Sequence, residues 1–545
     1  MPPVQLQFPV SALPGRRPGE GQGDLINAFA RKAGSLIRWQ RVPGATRFTP
    51  PMFGNVAIPN YTPRGQLPVD TTLISVWGDK VTKTLANGSI TIMAGTPLPG
   101  TGPVTLARNL RTPPEIVAVA DNAAYAIDIL ANTVTAYPGS VEVPGPPPAT
   151  IDPVTSVDYF SGYFVFSRPF RGEFWATDLQ TMQWKQLSFA RAEGNPDGLL
   201  RMFSSQPVLL ACGSETIELY QDVGSSPFPL QRVTVIPCGL LGTWAIAGGA
   251  SQWDRPLCFV AHDHTVRQLK GYDPIIISNE DISADIEIAT KAGLAEQLYA
   301  QVYTHGDNAI WSLSSPTWTW EHNLSTGAWH RRRSFQPDEP TPENVPWRAL
   351  FATRFDHRWL AQDRMDGGLI EVTTDALSEP AITRLRPSTQ PDGSVVMVPV
   401  QLQAPLVVRC ESAPTKETPA NIRMAAIYLD FTVGFDVAGV PEPAVFLSWS
   451  HDGGATWSNP VERHIGGKGE YRTLITLRST GRSSHQGMRL RWECVDPVPV
   501  VFHSAVAPRA TASRPRQVDV IHPTPSPAFG QGGSGSPSRM GGAGG

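Results

Sequence analysis

Runs of β-branched and aromatic residues alternate with short polar turns along the chain from about residue 70. Each unit holds one apolar run, a turn containing Asn, Asp or Gly, and a second apolar run. Such runs bounded by turn residues predict paired β-strands. Seven units follow one another, and they begin at Leu73, Ala123, Tyr163, Val208, Leu257, Ala309 and Trp347. Successive units lie on the order of 40–50 residues apart, which is the period of a four-stranded propeller blade.

Two of these units share a longer pattern, (D/N)-L-x-T-x-x-W, at 178–184 and 323–329. The Asp or Asn side chain is expected to accept hydrogen bonds from backbone amides of the following turn. The Leu is expected to pack inward, and the Trp to open the next strand and fill the space between blades. The alternative is that the two segments are unrelated hairpins.

The pattern changes towards the C-terminus. Apolar and polar residues alternate in five segments, 395–408, 424–433, 445–450, 470–477 and 488–494. Alternation with period two predicts strands at a spacing typical of a β-sandwich. The predicted fold class is therefore all-β: a β-propeller of six or seven blades, a β-sandwich or barrel platform domain, and a disordered Gly/Ser/Pro-rich C-terminal tail. Six blades are the alternative to seven, because an N-terminal strand could close the ring together with C-terminal residues.

The domain boundaries follow from composition. We predict an N-terminal arm, a propeller, a linker, a platform domain and a flexible tail at 1–45, 46–377, 378–394, 395–507 and 508–545. Within the arm, a helix at 24–33 is less favoured than a short strand or turn, because Gly34 follows quickly. Pro-rich breaks at 144–148 and 337–346 indicate loops between blades. Residues 531–545 hold too few apolar side chains to order except against neighbours.

Composition agrees with a turn-rich β protein. Hydrophobic residues make up 41% of the chain, and charged residues only 17%, below the roughly 25% of average proteins. Gly and Pro, with 49 and 53 copies, divide the chain into short elements. The net charge of −3 argues against a strongly basic nucleic-acid-binding domain.

Cysteine usage and the N-terminus indicate the compartment. The five cysteines are odd in number and lack C-x-x-C spacing, so free thiols and cytosolic assembly are expected rather than a disulfide framework. Residues 1–14 lack the basic and apolar regions of a signal peptide. No stretch reaches the roughly 18 uncharged apolar residues that a membrane helix needs.

Three blocks resemble the packaged-DNA stabilisation, tail-hub or nozzle proteins of short-tailed bacteriophages. The first is the arm at 25–30 with the Pro-Gly turn at 41–44. The second, 212–232, is similar to the family's central G-x-x-T-I-E hairpin and its aromatic-Pro loop. The third, 447–457 with 466–471, looks like a sandwich module of phage tail proteins. The Gly-Ser-Pro tail has no counterpart in this resemblance.

The resemblance implies a non-enzymatic structural protein of the virion tail, assembled in the bacterial host cytoplasm. It implies a homo-hexamer below the portal-adaptor (head-to-tail connector) protein, with tail spikes or fibres and a tail needle or plug nearby. Packaged double-stranded DNA would pass through the lumen without sequence specificity, and no membrane insertion is expected. By analogy, loops of 395–505 are expected to approach the channel while the propeller faces outward.

The segment 450–457, Ser-His-Asp-Gly-Gly-Ala-Thr-Trp, fits the Asp-box of sialidase-like propellers. In such a box the Asp accepts backbone amides, a Gly adopts a positive φ and the Trp plugs the blade. The box lies away from catalysis even in glycosidases, and a sialidase site also needs an arginine cluster, a tyrosine nucleophile and an acid. We expect a structural turn. The alternative function is a carbohydrate-active or carbohydrate-binding tail propeller.

Three further motifs have a chemical interpretation as well as a structural one. His262 and His264 flank Asp263 and could share a metal, but they fall at a turn without a third ligand. The arginines at 331–333 could contact phosphate, although a solvated edge or a subunit salt bridge is favoured. The segment 466–469 resembles half a phosphate loop, but a hairpin turn is favoured because the full spacing is missing. We predict no catalytic residue, no cofactor, no cofactor-binding residue and no metal ligand.

Overall fold

The computed structural model describes residues 3–33, 36–138, 151–169, 172–192, 197–249, 253–390, 394–416, 421–432, 440, 442–467, 469–470, 473–508 and 510–513. Within these residues the α-helix is Glu280–Lys291, and two 3-10 helices are Ala295–Gln297 and Pro342–Asn344. All other regular elements described are strands. The all-β class predicted from the sequence is confirmed, although the patterns did not predict the helix.

Seven units form blades, each an antiparallel sheet of four strands, and blade 2 gains a short parallel fifth strand. Blade 1 contains Pro63–Val69, Thr72–Trp77, Lys80–Leu85 and Ile90–Ile92. Blade 2 contains Ala94–Gly95, Thr105–Arg108, Ile116–Ala120, Ala123–Asp128 and Thr133–Ala136. Blade 3 contains Ser156–Phe160, Tyr163–Ser167, Glu173–Thr177 and Trp184–Arg191. Blade 4 contains Leu199–Ser205, Val208–Gly213, Ile217–Asp222 and Leu230–Ile236.

The remaining blades continue this pattern, with an exception in the last. Blade 5 contains Ile246–Ala247, Cys258–Val260, Val266–Lys270 and Asp273–Ile276. Blade 6 contains Tyr299–His305, Asn308–Ser314, Thr319–Asn323 and Ala328–Arg331. Blade 7 takes three consecutive strands, Ala349–Phe355, Arg358–Asp363 and Leu369–Thr373. Its fourth strand comes from the N-terminal part of the chain, Gly44–Arg47.

The blades form a closed ring. First strands of neighbouring blades pack together, an apolar cluster joins blades 4 and 5, and blade 7 packs on blade 1. At this last contact, Gln362 donates to the Val76 carbonyl at 2.9 Å and accepts from the Gly65 amide at 3.0 Å. The propeller therefore has seven blades, and the N-terminal strand completes the seventh rather than reducing the count to six.

The two (D/N)-L-x-T-x-x-W segments lie at equivalent turns, between the third and fourth strands of blades 3 and 6. Trp184 and Trp329 are buried, as predicted. Asn323 Oδ1 accepts from the Ser325 amide at 3.0 Å, which is the predicted turn cap. Leu179, however, is exposed, so its predicted inward packing is wrong. The repeated part of the motif is the turn and the buried indole.

The platform domain is a sandwich of two sheets. One sheet contains Val4–Leu6, Ala28–Ala33, Leu36–Arg41, Ala426–Thr432, Thr473–Arg478 and Val501–Ala507. The other contains Asp24–Ile26, Val408–Glu411, Ala444–Ser450, Val461–His464 and Arg489–Cys494. Phe431, Trp492 and Phe502 pack in the core, with ring centroids 5.1–5.5 Å apart. Four of the five alternating segments predicted from the sequence, 424–433, 445–450, 470–477 and 488–494, coincide with strands of these sheets, whereas most of the fifth, 395–408, is the exposed strand Val395–Ala404 outside them.

Three two-stranded sheets lie outside the blades and the sandwich sheets. Their strands are Arg333–Ser334 with Val345–Pro346, Glu379–Thr389 with Val395–Ala404, and Asn421–Met424 with Ala510–Ser513. The second pair is called the 379–404 hairpin below. Its first strand lies within the segment interpreted as a linker, 378–394, so residues 379–389 of that segment are regular structure.

Three local predictions meet different outcomes. The helix considered at 24–33 is absent, because Asp24–Ile26 and Ala28–Ala33 are strands. The break at 337–346 lies between blades 6 and 7, while 144–148 lies outside the described residues. Most of the predicted tail, 514–545, also lies outside them. The limits proposed for the five domains stay predictions.

Candidate functional site at the propeller–sandwich junction

One strand of the N-terminal arm joins the two domains. Asp24–Ile26 runs parallel to the last strand of blade 6, with Ile26 opposite Arg331. On its other edge the same strand pairs antiparallel with Val408–Glu411 of the sandwich. A single nine-stranded sheet therefore continues from blade 6 into the sandwich. We call these three strands the propeller–sandwich junction.

Asn27 fixes the chain where it leaves the junction strand. Its φ of +53° is in the left-handed region, which Asn tolerates better than other residues with a Cβ. Its side-chain amide donates to the Val407 carbonyl at 2.9 Å, and its side-chain oxygen accepts from the Arg333 amide at 2.9 Å. Its own amide donates to the Arg331 carbonyl at 2.9 Å. Asn27 therefore bonds to both domains at once.

Charged side chains pair across the junction strands. Arg331 lies 3.5 Å from Asp24, and Arg491 lies 2.7 Å from Glu411. Burial raises the pKa of Glu411, and Arg491 partly offsets this effect. The buried carboxylates face arginines of the same chain, which makes these charges part of the junction's own structure.

A second cluster lies where the ring closes in blade 7. Arg47, on the N-terminal strand, contacts Asp363 at 2.9 Å and Asp366 at 2.8 Å. Arg348 contacts Asp363 through Nη2 at 2.5 Å and through Nε at 3.0 Å. Burial would raise the pKa of Asp363, but the two guanidinium groups outweigh it and hold this pKa below its usual range. Burial and the neighbouring Asp363 raise the pKa of Asp366.

A third buried group centres on Glu321 of blade 6. Tyr303 donates to Glu321 at 2.9 Å, and the His330 ring nitrogen lies 2.8 Å from its other oxygen. Burial would raise the pKa of Glu321, but His330 and Arg332 outweigh it and lower this pKa. Nearby, burial lowers the pKa of His305 to about 4. The Glu321 side chain has no exposed surface, so it is not placed to meet a substrate.

The sequence patterns missed these clusters. The available signal was a charged residue inside an apolar run, such as Arg348 between Trp347 and Ala349, or Glu321 after Trp320. Such a residue is usually paired when it is buried. Its partner lies elsewhere in the chain, however, and a single sequence does not identify it.

The three consecutive arginines do not form a solvated edge. Arg332 is fully buried, stacks 4.6 Å from the Trp347 ring centroid and donates to the Pro43 carbonyl at 2.5 Å. Arg331 pairs with Asp24, as described above, and Arg333 donates to Asn344. Their described partners lie within the chain, so the solvated-edge interpretation is wrong.

The 262–264 segment lies in the turn between the second and third strands of blade 5. His262 accepts from the Gly239 amide at 3.1 Å, while Asp263 contacts Arg267 at 2.5 Å. His264 has a φ of +65°, consistent with the predicted turn. Across the described residues, no three His, Cys, Asp or Glu side chains converge as a metal site would require.

The Asp-box forms the predicted kind of turn, at the end of the sandwich strand Ala444–Ser450. Asp452 accepts from the Thr456 amide at 2.9 Å and hydroxyl at 2.6 Å. Slight burial would raise the pKa of Asp452, but the hydrogen bonds to Thr456 and Ser450 lower it to about 2. The Gly453 carbonyl accepts from the Gly19 amide at 2.8 Å, so the box supports the N-terminal arm.

The glycines at 466–469 do not form a hairpin turn. They lie between Val461–His464 and Thr473–Arg478, which belong to opposite sheets of the sandwich. Gly467 donates to the Glu470 carboxylate at 3.1 Å, whereas Lys468 lies outside the described residues. The segment is a crossover between sheets.

Two remaining features carry no reactive arrangement. The five cysteines, Cys212, Cys238, Cys258, Cys410 and Cys494, are buried free thiols. A shallow groove beside blade 1 is lined by Pro50, Pro51, Met52, Asn55, Ile58, Gly88, Ser89, Ile90 and Ile92, without an ionisable side chain.

In the described part of the chain, no helix is long and apolar enough to cross a bilayer.

A seven-bladed propeller that shares a sheet with a β-sandwich defines a two-domain scaffold. Comparison with known families identifies which scaffold. Residues 66–376 match the family described as Bacteriophage P22 Gp10, beta-propeller, and residues 415–508 match Bacteriophage P22 Gp10, beta-sandwich. The chain belongs to this family of phage tail hub or nozzle proteins, which stabilise packaged DNA, and it is a structural component of the virion. The family resemblance noted in the sequence is confirmed.

Solved structures resemble the chain only distantly, in sequence and in fold. The N-terminal domain of Nup159 is 11% identical, covers 63% of this chain and 97% of that chain, and gives a TM-score of 0.34. PorZ of the type-IX secretion system of Porphyromonas gingivalis is 10% identical, covers 74% of this chain and 58% of that chain, and gives a TM-score of 0.28. Likenesses this distant carry no argument about function. No curated protein matches the chain significantly.

Proposed function

We propose that six copies of this chain form the hub or nozzle ring of a phage tail below the portal-adaptor, where the ring retains packaged DNA and forms its exit channel. The observation that carries the proposal is the continuous nine-stranded sheet across the propeller–sandwich junction. Domains joined only by a linker move relative to one another by default. A shared sheet, by contrast, couples the two domains through backbone hydrogen bonds, as the wall of a closed channel requires.

The charge of the chain supports this role. A net charge of −3 offers DNA no strong electrostatic hold. Two buried arginines bond within the chain, Arg348 to the Asp363 carboxylate and Arg332 to the Pro43 carbonyl. A wall of this kind lets double-stranded DNA pass without sequence specificity. The protein acts by shape and rigidity, and the proposal assigns it no enzymatic activity.

The position of the ring in the tail determines which proteins it contacts. The ring contacts the portal-adaptor above, and tail spikes or fibres and a needle or plug attach around or below it. Assembly takes place in the host cytoplasm, where the five buried cysteines stay reduced. The sandwich loops of 395–505 approach the lumen and the propeller faces outward.

A conditional phage mutant that lacks the chain tests the proposal. Heads should fill with DNA and then lose it, and supplying the wild-type chain in the same cells should restore DNA-filled particles. Rings released from wild-type tails should have the mass of six chains of 59.1 kDa each. DNA retention without the chain would contradict the proposal, as would a monomer that hydrolyses host polysaccharide. Single substitutions that block DNA release should map to 395–505; clustering in the propeller would contradict the assigned orientation.

A further inference from the structure

The strand that completes blade 7 is tied to the sandwich by a very short connection. Gly44–Arg47, called the closing strand below, pairs with Leu369–Thr373 of blade 7. The sandwich strand Leu36–Arg41 comes directly before it in the chain, and only residues 42–43 lie between the two strands. Three Cα–Cα steps of about 3.8 Å each span at most about 11 Å. The closing strand therefore has little slack relative to the sandwich.

Hydrogen bonds fix this connection to the junction and to blade 6. The Val42 amide donates to the carbonyl of Asn27, the residue that bonds to both domains, at 3.0 Å. At the next position, the Pro43 carbonyl accepts from the buried Arg332 at 2.5 Å. The connection therefore moves with the junction, and it does not lengthen without losing these bonds.

Arg41 joins the end of the sandwich to the end of blade 7. Its buried guanidinium donates to the Asp496 carbonyl at 2.6 Å and to the Leu377 carbonyl. Asp496 follows a core strand of the sandwich, and Leu377 follows the last strand of blade 7. Beside them, the Gly44 amide donates to the Ala376 carbonyl at 2.9 Å. The start of the closing strand is thus held by groups of both domains.

We propose that the sandwich acts as a latch on the propeller ring, so that the closing strand stays in blade 7 only while the sandwich is docked at the junction. Movement of the sandwich beyond the slack of the connection withdraws the closing strand and leaves Leu369–Thr373 as an open edge. The ring then opens at blade 7, whereas the other six blades are built from consecutive strands and stay paired. This coupling is a property of the single chain and does not depend on a ring of six copies.

Coupling between two sites acts in both directions, and two substitutions each change one end alone. Asn27→Gly removes the side-chain bonds to Val407 and to Arg333, neither of which belongs to blade 7. Arg47→Met removes the two ion pairs within blade 7 and no bond at the junction. Each variant should therefore loosen the end that it does not touch.

Hydrogen exchange of the purified full chain, followed by mass spectrometry of its peptides, measures both ends at once. In each variant the amides of 44–47, 369–373 and 408–411 should exchange at least about tenfold faster, since two stabilising bonds are lost where the opening begins. The amides of Tyr163–Ser167 in blade 3 should keep their wild-type rate.

Thr105→Val is the matched control. Thr105 is buried and accepts from the Val157 amide at 3.0 Å between blades 2 and 3. This variant also loses a buried hydrogen bond, but it should leave the exchange of 44–47 and of 408–411 unchanged. Faster exchange at these two strands in the control would overturn the latch, because any weakened contact would then have the same effect.

The latch is also overturned if exchange rises at one end alone, at neither end, or equally in every strand including blade 3. If either variant does not fold, exchange of the wild-type chain in increasing denaturant decides. The amides of 44–47 and 408–411 must then open with one shared free energy, below that of blade 3. Separate free energies for the two strands would overturn the latch.

Discussion

Arg47 donates to Asp363 at 2.9 Å across 316 positions of sequence, and this contact joins the N-terminal strand to blade 7. A propeller whose last blade combines strands from distant parts of the chain closes only when that blade is complete. The ion pairs of Arg47 with Asp363 and Asp366 lie at this closure, largely away from water. Ring closure therefore depends on electrostatic pairing as well as on strand hydrogen bonds.

Replacing Arg47 with Met should lower the free energy of unfolding by about 3–5 kcal/mol, because two buried carboxylates lose a compensating charge. Urea denaturation of the full chain measures this effect. Arg31→Met is the matched control, because Arg31 pairs with Asp307 at the exposed surface and such pairs contribute below about 1 kcal/mol. Equal effects of the two substitutions would refute the closure role.

Stability should fall as the pH decreases from about 6.5 to about 4, partly because of His322. Burial lowers the pKa of this histidine to about 4 in the folded chain, against about 6.5 for an unfolded one. Below pH 6.5 the unfolded chain gains a proton that the folded chain does not bind, so unfolding becomes easier.

Substituting His322→Phe removes this proton and keeps the ring contact with Trp329, whose centroid lies 4.5 Å away. Between pH 7 and pH 5 the variant should gain on the order of 2 kcal/mol of stability relative to the wild-type chain. His485→Gln, at an exposed position, should leave the pH dependence unchanged. If the two variants and the wild type have parallel pH profiles, the assignment to His322 is incorrect.

Asn27 stabilises the folded chain through both its backbone conformation and its side-chain hydrogen bonds. Two substitutions separate these two contributions. Asn27→Gly keeps the positive φ but loses two side-chain hydrogen bonds, at about 1 kcal/mol each. Asn27→Ala loses the same bonds and also strains the backbone, so it should be less stable than Asn27→Gly by about 1 kcal/mol. Chemical denaturation gives this order, and the reverse order would mean that the backbone is relaxed in the variant.

Asp452→Ala should lower the stability by about 1–2 kcal/mol, because the Thr456 amide and hydroxyl lose their acceptor. Asn459→Ala, at an exposed position of the same loop, is the control. Since the box supports the arm at Gly19, limited proteolysis of the variant should cleave the arm near this residue faster. Unchanged stability and cleavage would show that the box does not support the arm.

Local patterns in the sequence determined seven strand units and the change from blades to sandwich, but left the number of blades at six or seven. These features follow from short-range rules, since turn residues interrupt β-branched runs and alternation buries one face of a strand. The Asp-box turn could be predicted for the same reason, because Asp452 and Thr456 are only four positions apart. The repeated Trp184 and Trp329 likewise identified the turn before the last strand of two blades.

Only the tertiary structure decided which distant segments meet. Gly44–Arg47 completes blade 7, Asp24–Ile26 joins blade 6 to the sandwich, and residues 379–389 of the segment interpreted as a linker form a strand of the 379–404 hairpin. The sequence likewise did not reveal that Arg332 and Arg348 are buried. The physical reason is that strand pairing and ion pairing join groups hundreds of residues apart, and each edge strand or charge has several chemically acceptable partners until the chain is folded.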